Sequence, residues 1–253
     1  MISPAFIGDG IELYAGDCLE VMPRLRSGVR AVFADLPYAT TRNEWDRAID
    51  PKMLWHCYHQ LCGPRTPMVL FGSGVFTARM IGSNEAEFKY TLVWSKLAVS
   101  GHLNAKKQPL RSHEDLNVFY RQQPTYNPQM VFTGRSSHSR GSRKDRTVNH
   151  YGEFHNTEVV EQDGFQYPRS IVEFARPGKP SHPTQKPVAL MEWLIRTYTN
   201  PDDIVLDNVC GSGTTLVAAR NAGRRAIGIE HHPEYIDMTI ARLESGSEGD
   251  TWN

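Results

Sequence analysis

Strand-like and helix-like hydrophobic periods succeed one another along most of the chain. Ile11-Glu12-Leu13-Tyr14 alternates with a period of two, residues 18–25 carry apolar side chains at helical spacing, and residues 29–34 form an apolar run broken only by Arg30, as a buried strand requires. The same pattern predicts a helix over 51–61, a strand over 68–71 ending in Gly72-Ser73-Gly74, a helix over 75–81 and a strand over 90–94. The rhythm resumes at Pro187, at the first turn of a helix over 188–198, followed by a strand over 204–207, a helix over 214–222, a strand over 225–230 and a helix over 233–243. Strands that alternate with helices predict an α/β fold built on a mainly parallel sheet.

Between about residues 100 and 170 this rhythm breaks. Only short apolar pieces such as Leu116-Asn117-Val118-Phe119-Tyr120 occur there, and residues 134–146 contain no apolar side chain to bury, which predicts a mobile loop. Charge follows the same boundary. The 253 residues hold 28 basic and 28 acidic side chains, yet the segment from Lys96 to His150 carries ten basic against three acidic ones. A basic middle between acidic flanks suits contact with a polyanion through one part of the molecule, and it also suits a solvated surface loop. No apolar run is long enough to span a membrane, and the first residues lack a basic region followed by an apolar core, so a cytoplasmic protein is expected. Four scattered cysteines predict reduced thiols rather than a disulfide framework. His56, Cys57, His59 and Cys62 have no second Cys/His pair at finger spacing, so no metal site is expected.

Two segments carry chemistry. Val205-Leu206-Asp207 is an apolar strand ending in an acid, and Gly211-Ser212-Gly213-Thr214-Thr215 follows as a tight turn opening a helix. Such a turn lets backbone approach a ligand closely, while Glu230, at the end of the next strand, is placed to accept hydrogen bonds from ribose hydroxyls. The third glycine of the dinucleotide fingerprint is absent, since position 216 is Leu, which favours a nucleoside with a short tail over a pyrophosphate. The second segment, Asp35-Leu36-Pro37-Tyr38, directly follows a predicted strand. It places an acid at the carboxyl end of a strand, where open α/β sheets bind ligands, and adds a rigid Pro and a ring on which a flat heterocycle can stack.

Together the two segments resemble the amino-group DNA methyltransferases, whose fold holds S-adenosylmethionine at a glycine turn and the target base at an Asp-Pro-Pro-Tyr tetrad. Gly16-Asp17-Cys18-Leu19, Trp94-Ser95-Lys96, His182-Pro183-Thr184-Gln185-Lys186-Pro187 and Gly228-Ile229-Glu230 add four further matches, and the order of tetrad, variable insert and glycine turn is that of the β group. Leu36 stands where the family has its first Pro, and Asn208-Val209-Cys210 departs from the usual residues before the glycines.

The resemblance implies a Rossmann-like methyltransferase domain of residues 1–100 and 181–245, with helices on both faces of its sheet. Residues 101–180 would be an inserted target-recognition region and 246–253 a polar tail. It implies that Asp35, Leu36, Pro37 and Tyr38 receive the flipped base, and that Asp17, Asp35, Asp207, Gly211, Ser212, Gly213, Thr214, Thr215, Glu230 and His231 hold the cofactor, with Thr184, Gln185 and Lys186 near its methionine end. Double-stranded DNA would be met by Lys106, Lys107, Arg111, Arg135, Arg140, Arg143, Lys144 and Arg146. A homodimer and a cognate restriction endonuclease are further expectations from the resemblance. An acid at position 35 favours adenine N6 over cytosine N4 as methyl acceptor. A nicotinamide-dependent oxidoreductase is disfavoured by the missing glycine and the basic insert, and a non-enzymatic DNA-binding module by the intact acids Asp35 and Glu230.

Overall fold

The computed structural model describes residues 2–38, 48–134, 164–177 and 185–246. Its first half runs β1 (Phe6–Gly8), β2 (Ile11–Ala15), α1 (Cys18–Val21), β3 (Ala31–Ala34), α2 (Pro51–Leu61), β4 (Met68–Gly72), α3 (Val75–Ser83), β5 (Phe88–Ser100) and β6 (Arg111–Phe119). Its second half runs β7 (Val131–Phe132), β8 (Phe165–Gln166), β9 (Ile171–Glu173), α4 (Val188–Tyr198), β10 (Ile204–Asp207), α5 (Thr214–Asn221), β11 (Arg225–Glu230) and α6 (Pro233–Glu244). Among the described residues nine strands form one sheet in the order β1-β2-β11-β10-β3-β4-β6-β5-β9. The pairs from β2 through β11, β10 and β3 to β4 are parallel, β6 is antiparallel to both β4 and β5, and β9 runs parallel to β5.

The central strands read as unbroken apolar runs because both of their faces are covered. Side chains alternate across each strand. Phe33 and Phe71 join α4 and α5 in one core that includes Leu190, Leu194 and Val217, while Val32, Ala34, Leu70 and Leu206 join α2 in another through Leu54 and Tyr58. This is the Rossmann-like methyltransferase fold expected from the sequence, with its switch in strand order falling between β10 and β3.

Three local differences from the sequence pattern have physical causes. The helix expected over 18–25 stops at Val21 and tightens into a 3-10 turn over Met22–Arg24, where Pro23 has no amide to continue the α ladder. β5 extends well beyond 90–94, and β6 returns from the basic stretch to insert between β4 and β5, burying Leu116, Val118 and Phe119 completely. β6 and β9, which fall within 101–180, thus belong to the main sheet, and the chain divides into one compact unit of residues 1–127 with 170–253 and a second of 128–169. In the second unit β7 pairs antiparallel with β8, and the rings of Phe132 and Phe165 meet edge to face at 5.2 Å. The loop expected over 134–146 lies, beyond Gly134, outside the described residues, as do Thr184 and Arg135, Arg140, Arg143, Lys144 and Arg146.

No helix among the described residues is long and apolar enough to cross a membrane. All four cysteines are buried and free.

Two positions around the glycine turn show how tightly the switch region is built. At Gly228 in β11 an added methyl carbon would stand 2.7 Å from Leu216 Cδ1 and 3.0 Å from Cys210 Sγ, so α5 rests directly on strand backbone. Asp207 closes β10 with both carboxylate oxygens engaged: Oδ1 accepts from the Val209 amide at 3.1 Å and Oδ2 from the Thr215 hydroxyl at 2.5 Å. Burial pushes its carboxyl up to about 7, against the pull of those two hydrogen bonds.

Gly228→Ala is expected to destabilise the fold by about 1–3 kcal/mol through overpacking, measured by urea denaturation. A second expectation concerns pH. The folded chain keeps the Asp207 proton up to about pH 7, whereas the unfolded chain releases it near the ordinary aspartate value of 3.8. Stability therefore falls as pH rises through that window, by up to about 1.4 kcal/mol per unit. Asp207→Asn is expected to flatten this part of the profile, and an identical slope in variant and parent would show that Asp207 is not its source.

Candidate active site

The carboxyl ends of β2, β3, β10 and β11 open into a cavity of about 690 Å³, a volume in the range of cofactor and small-ligand sites. Its wall includes Gly16, Asp17, Asp35, Leu36, Pro37, Tyr38, Gln185, Lys186, Asp207, Gly211, Ser212, Thr214, Thr215, Glu230 and His231, so the structure brings together most of the residues singled out from the sequence. Gly213 lies beneath the turn, against α6.

The glycine turn is shaped by backbone that only glycine adopts easily. Gly211 and Gly213 have φ of +53° and +76°, and an added carbon at Gly213 would stand 2.5 Å from Thr239 Cγ2. α6 braces the turn from outside. The Thr239 hydroxyl donates to Gly211 O at 2.9 Å, and Arg242 Nη1 donates to Ser212 O at 2.5 Å and to Thr214 Oγ1 at 3.2 Å. Neither Thr239 nor Arg242 stood out in the sequence, since each is an ordinary polar residue of an amphipathic helix.

Glu230 ends β11 and is almost fully buried. Its Oε2 accepts from the Gly211 amide at 2.9 Å, and its Oε1 accepts from the His231 and His232 amides at 2.9 and 2.8 Å. Three backbone donors thus hold the carboxylate at the cavity wall, where Oε2 retains an acceptor position for a hydroxyl. Asp17 caps α1, accepting from the Leu19 amide at 2.8 Å, and is exposed beside the same cavity. Asp207 and Thr215 bond to each other and shape the turn. The amide oxygen of Asn208 accepts from the Tyr58 hydroxyl at 2.7 Å, which ties the turn to α2. An acid fixed by amides and a close-approach turn fit the adenosine portion of a nucleoside cofactor.

Asp35 leaves β3, and β10 lies between β3 and the strand that carries Glu230, so the two acids sit roughly 10 Å apart at two strand spacings. The Tyr38 hydroxyl donates to Asp35 Oδ1 at 3.1 Å, and its ring stacks on Phe76 with centroids 4.4 Å apart. Lys186 Nζ lies 2.7 Å from Asp35 Oδ2 and 2.9 Å from Glu114 Oε2. Burial pushes the Asp35 carboxyl up, with Lys186 drawing it down, Glu114 adding to the rise and Tyr38 opposing it. Burial pushes Glu114 up as well, but the ammonium groups of Lys186 and Lys96 outweigh it and hold that carboxyl below the ordinary range. Lys186 is thus placed on Asp35 and Glu114. Glu114 and Phe76 were missed by sequence reasoning, although Glu114 and Asp115 are the only acids between Lys96 and Lys144. Lys106, Lys107 and Arg111 lie exposed around the connection from β5 to β6. Among the described residues no group of three or more His, Cys, Asp or Glu is arranged to hold a metal.

Known proteins resemble this chain in sequence and in fold. The chain is 42% identical over 93 residues to the DNA adenine methyltransferase YhdJ of Escherichia coli K12, a match covering 37% of this chain and 31% of that protein. It is 48% identical over 67 residues to the type II methyltransferase M2.DpnII of Streptococcus pneumoniae, covering 26% of this chain and 25% of the relative. The matched segments thus span about a quarter to a third of the length of these curated relatives. Among solved structures, the M1.HpyAVI–SAM complex superposes with a TM-score of 0.61 at 26% identity, covering 92% of this chain and all of that one. The cytosine-N4-specific PvuII DNA methyltransferase shares the fold at a TM-score of 0.67 and 16% identity, covering 96% of this chain and 89% of that one. The family model for N6/N4 methyltransferases, described as DNA methylase, matches residues 29–241, and the chain belongs to that family.

Proposed function

We propose that this chain is a DNA methyltransferase that uses S-adenosylmethionine to methylate the exocyclic amine of a base flipped out of the duplex, with adenine N6 as the acceptor. The observation that carries this reading is the Asp35 carboxylate, with the Leu36 backbone and the Tyr38 ring, in one cavity with the glycine turn and Glu230. When bound, the cofactor supplies an electrophilic methyl group. Glu230 and Asp17 would hold its adenosine, Gly211 would let it approach the backbone, and Gly213 seats the turn on α6. An exocyclic amine is a poor nucleophile because its lone pair is delocalised into the ring. Hydrogen bonds from that amine to Asp35 and to the Leu36 carbonyl localise the lone pair and aim it, and no covalent enzyme intermediate is needed. The nitrogen sheds one proton as it gains its methyl, and the half-buried Asp35 carboxylate is the group placed to receive it.

The amine of a paired base is hidden in the stack, so the base must be extruded, and the Tyr38 ring then offers it a stacking surface. The exposed Lys106, Lys107 and Arg111 are suited to phosphate contact. Adenine is supported by the acid at position 35 and by the likeness to a relative named as an adenine methyltransferase. Cytosine N4 is the second reading, because the fold is shared with a cytosine-N4-specific enzyme.

Incubation with unmethylated genomic DNA and S-adenosylmethionine, followed by digestion to nucleosides and mass spectrometry, is expected to yield N6-methyladenine. N4-methylcytosine would move the activity to the other base, and cofactor binding without any methylated nucleoside would overturn the reading. Asp35→Ala is expected to lower turnover by about 10²–10³-fold with cofactor affinity close to the parent's, read by single-turnover kinetics and calorimetry. Tyr38→Ala is expected to weaken the enzyme–DNA complex by about 1–3 kcal/mol through lost stacking, measured with the target base placed opposite a mismatch or an abasic site so that extrusion costs little.

A further inference from the structure

The Asp35 carboxylate ends a line of four charged groups. Lys96 Nζ lies 2.5 Å from Glu114 Oε1, Lys186 Nζ lies 2.9 Å from Glu114 Oε2, and the same Lys186 Nζ lies 2.7 Å from Asp35 Oδ2. These side chains are 7–27% exposed, and the Lys186 ammonium also stands over the Phe71 and Trp94 rings at 4.9 and 5.9 Å. Two cations and two anions cancel, as burial of charge demands. Their sharing is unequal: Glu114 has two ammonium partners and Asp35 shares one of them.

Each member is held by a different part of the core. Lys96 lies on β5 and Glu114 on β6, where Glu114 pairs with Trp94 across the strands. Lys186 precedes Pro187, the cap of α4, whose buried Val188, Leu190 and Met191 anchor the backbone that delivers it. We infer that Lys186 is the positioning residue of the methyl-accepting site: gripped by Glu114, it holds the Asp35 carboxylate in place and sets a positive charge beside it where the base enters. This rests on the reading of Asp35 as the group that receives the amine.

Among the described residues the groups facing Asp35 are Lys186 ahead of α4, Glu114 on β6 with Lys96 behind it, Tyr38 on its own segment and Asp207 at the end of β10. Removing the positive charge of Lys186 therefore makes Asp35 harder to ionise, and removing the negative charge of Glu114 makes it easier. The opposition of sign tests the pairing itself, and lost turnover at unchanged cofactor affinity tests the positioning role.

The test is a carboxyl ¹³C NMR titration of the ligand-free full chain, with Asp35→Asn identifying the Asp35 signal. Lys186→Met is expected to move the Asp35 midpoint to higher pH and Glu114→Gln to lower pH, each by about one unit or more, with Lys186→Arg staying nearer the parent. In turnover, Lys186→Met is expected to lower kcat about 100-fold at neutral pH and to shift the acidic limb of the pH profile upward, with the Kd for S-adenosylmethionine unchanged. Midpoints that move together or stay still overturn the inference, as does a Lys186→Met enzyme with weaker cofactor binding and normal kcat, which would place Lys186 on the cofactor. Should Lys186→Met fail to fold, Glu114→Gln decides, through a downward Asp35 shift accompanied by an acidic limb of turnover that moves to lower pH. A parent chain that titrates as expected yet methylates no DNA overturns the functional reading and leaves the Lys186–Asp35 pairing intact, so the two failures are told apart.

Discussion

The site depends on one carboxylate that gathers three backbone amides. Glu230 accepts from Gly211, His231 and His232, and so ties the turn after β10 to the turn after β11. Backbone amides at strand-to-helix turns have few partners inside the fold, and a buried acid has a large desolvation penalty unless donors surround it. Each problem solves the other. Once the two turns are locked together, the positive φ of Gly211 and Gly213 and the close seat of Gly213 against Thr239 follow from the small space left between them.

Much of this was legible in the sequence because its determinants are local. A strand buried on both faces reads as an apolar run, an acid at its end marks the ligand edge of an α/β sheet, and glycines mark positive φ. Asp35, Gly211, Gly213 and Glu230 are all of this kind. What stayed hidden is set by contacts between distant segments. Lys186 reaches Asp35 across 151 positions, and no local period signals that the strand carrying Glu114 inserts between β4 and β5. β9 is three residues long, too short for a pattern, and Thr239 and Arg242 matter only because α6 packs against the turn.

The basic middle of the chain also divides once the fold is known. Lys96 counts towards its charge, yet it is buried and neutralised by Glu114, whereas Lys106, Lys107 and Arg111 face solvent. A charge count along a sequence cannot separate these roles, because solvation is decided by the sheet. Burying Lys96 and Lys186 among acids and rings takes them out of any long-range attraction for a polyanion and converts them into short-range geometry.

The bracing of the glycine turn by α6 also bears on when the pocket can exist. Gly211 O and Ser212 O are held by Thr239 and Arg242, and β2 has no neighbour on its inner side until β11 is laid down. During synthesis the ribosome releases the glycines about thirty residues before the helix that holds them, a delay of a few seconds at ordinary elongation rates. A nascent chain thus passes through a stage with its acceptor acid and its turn already made and no cradle to join them, and ligand capture becomes available only as α6 docks.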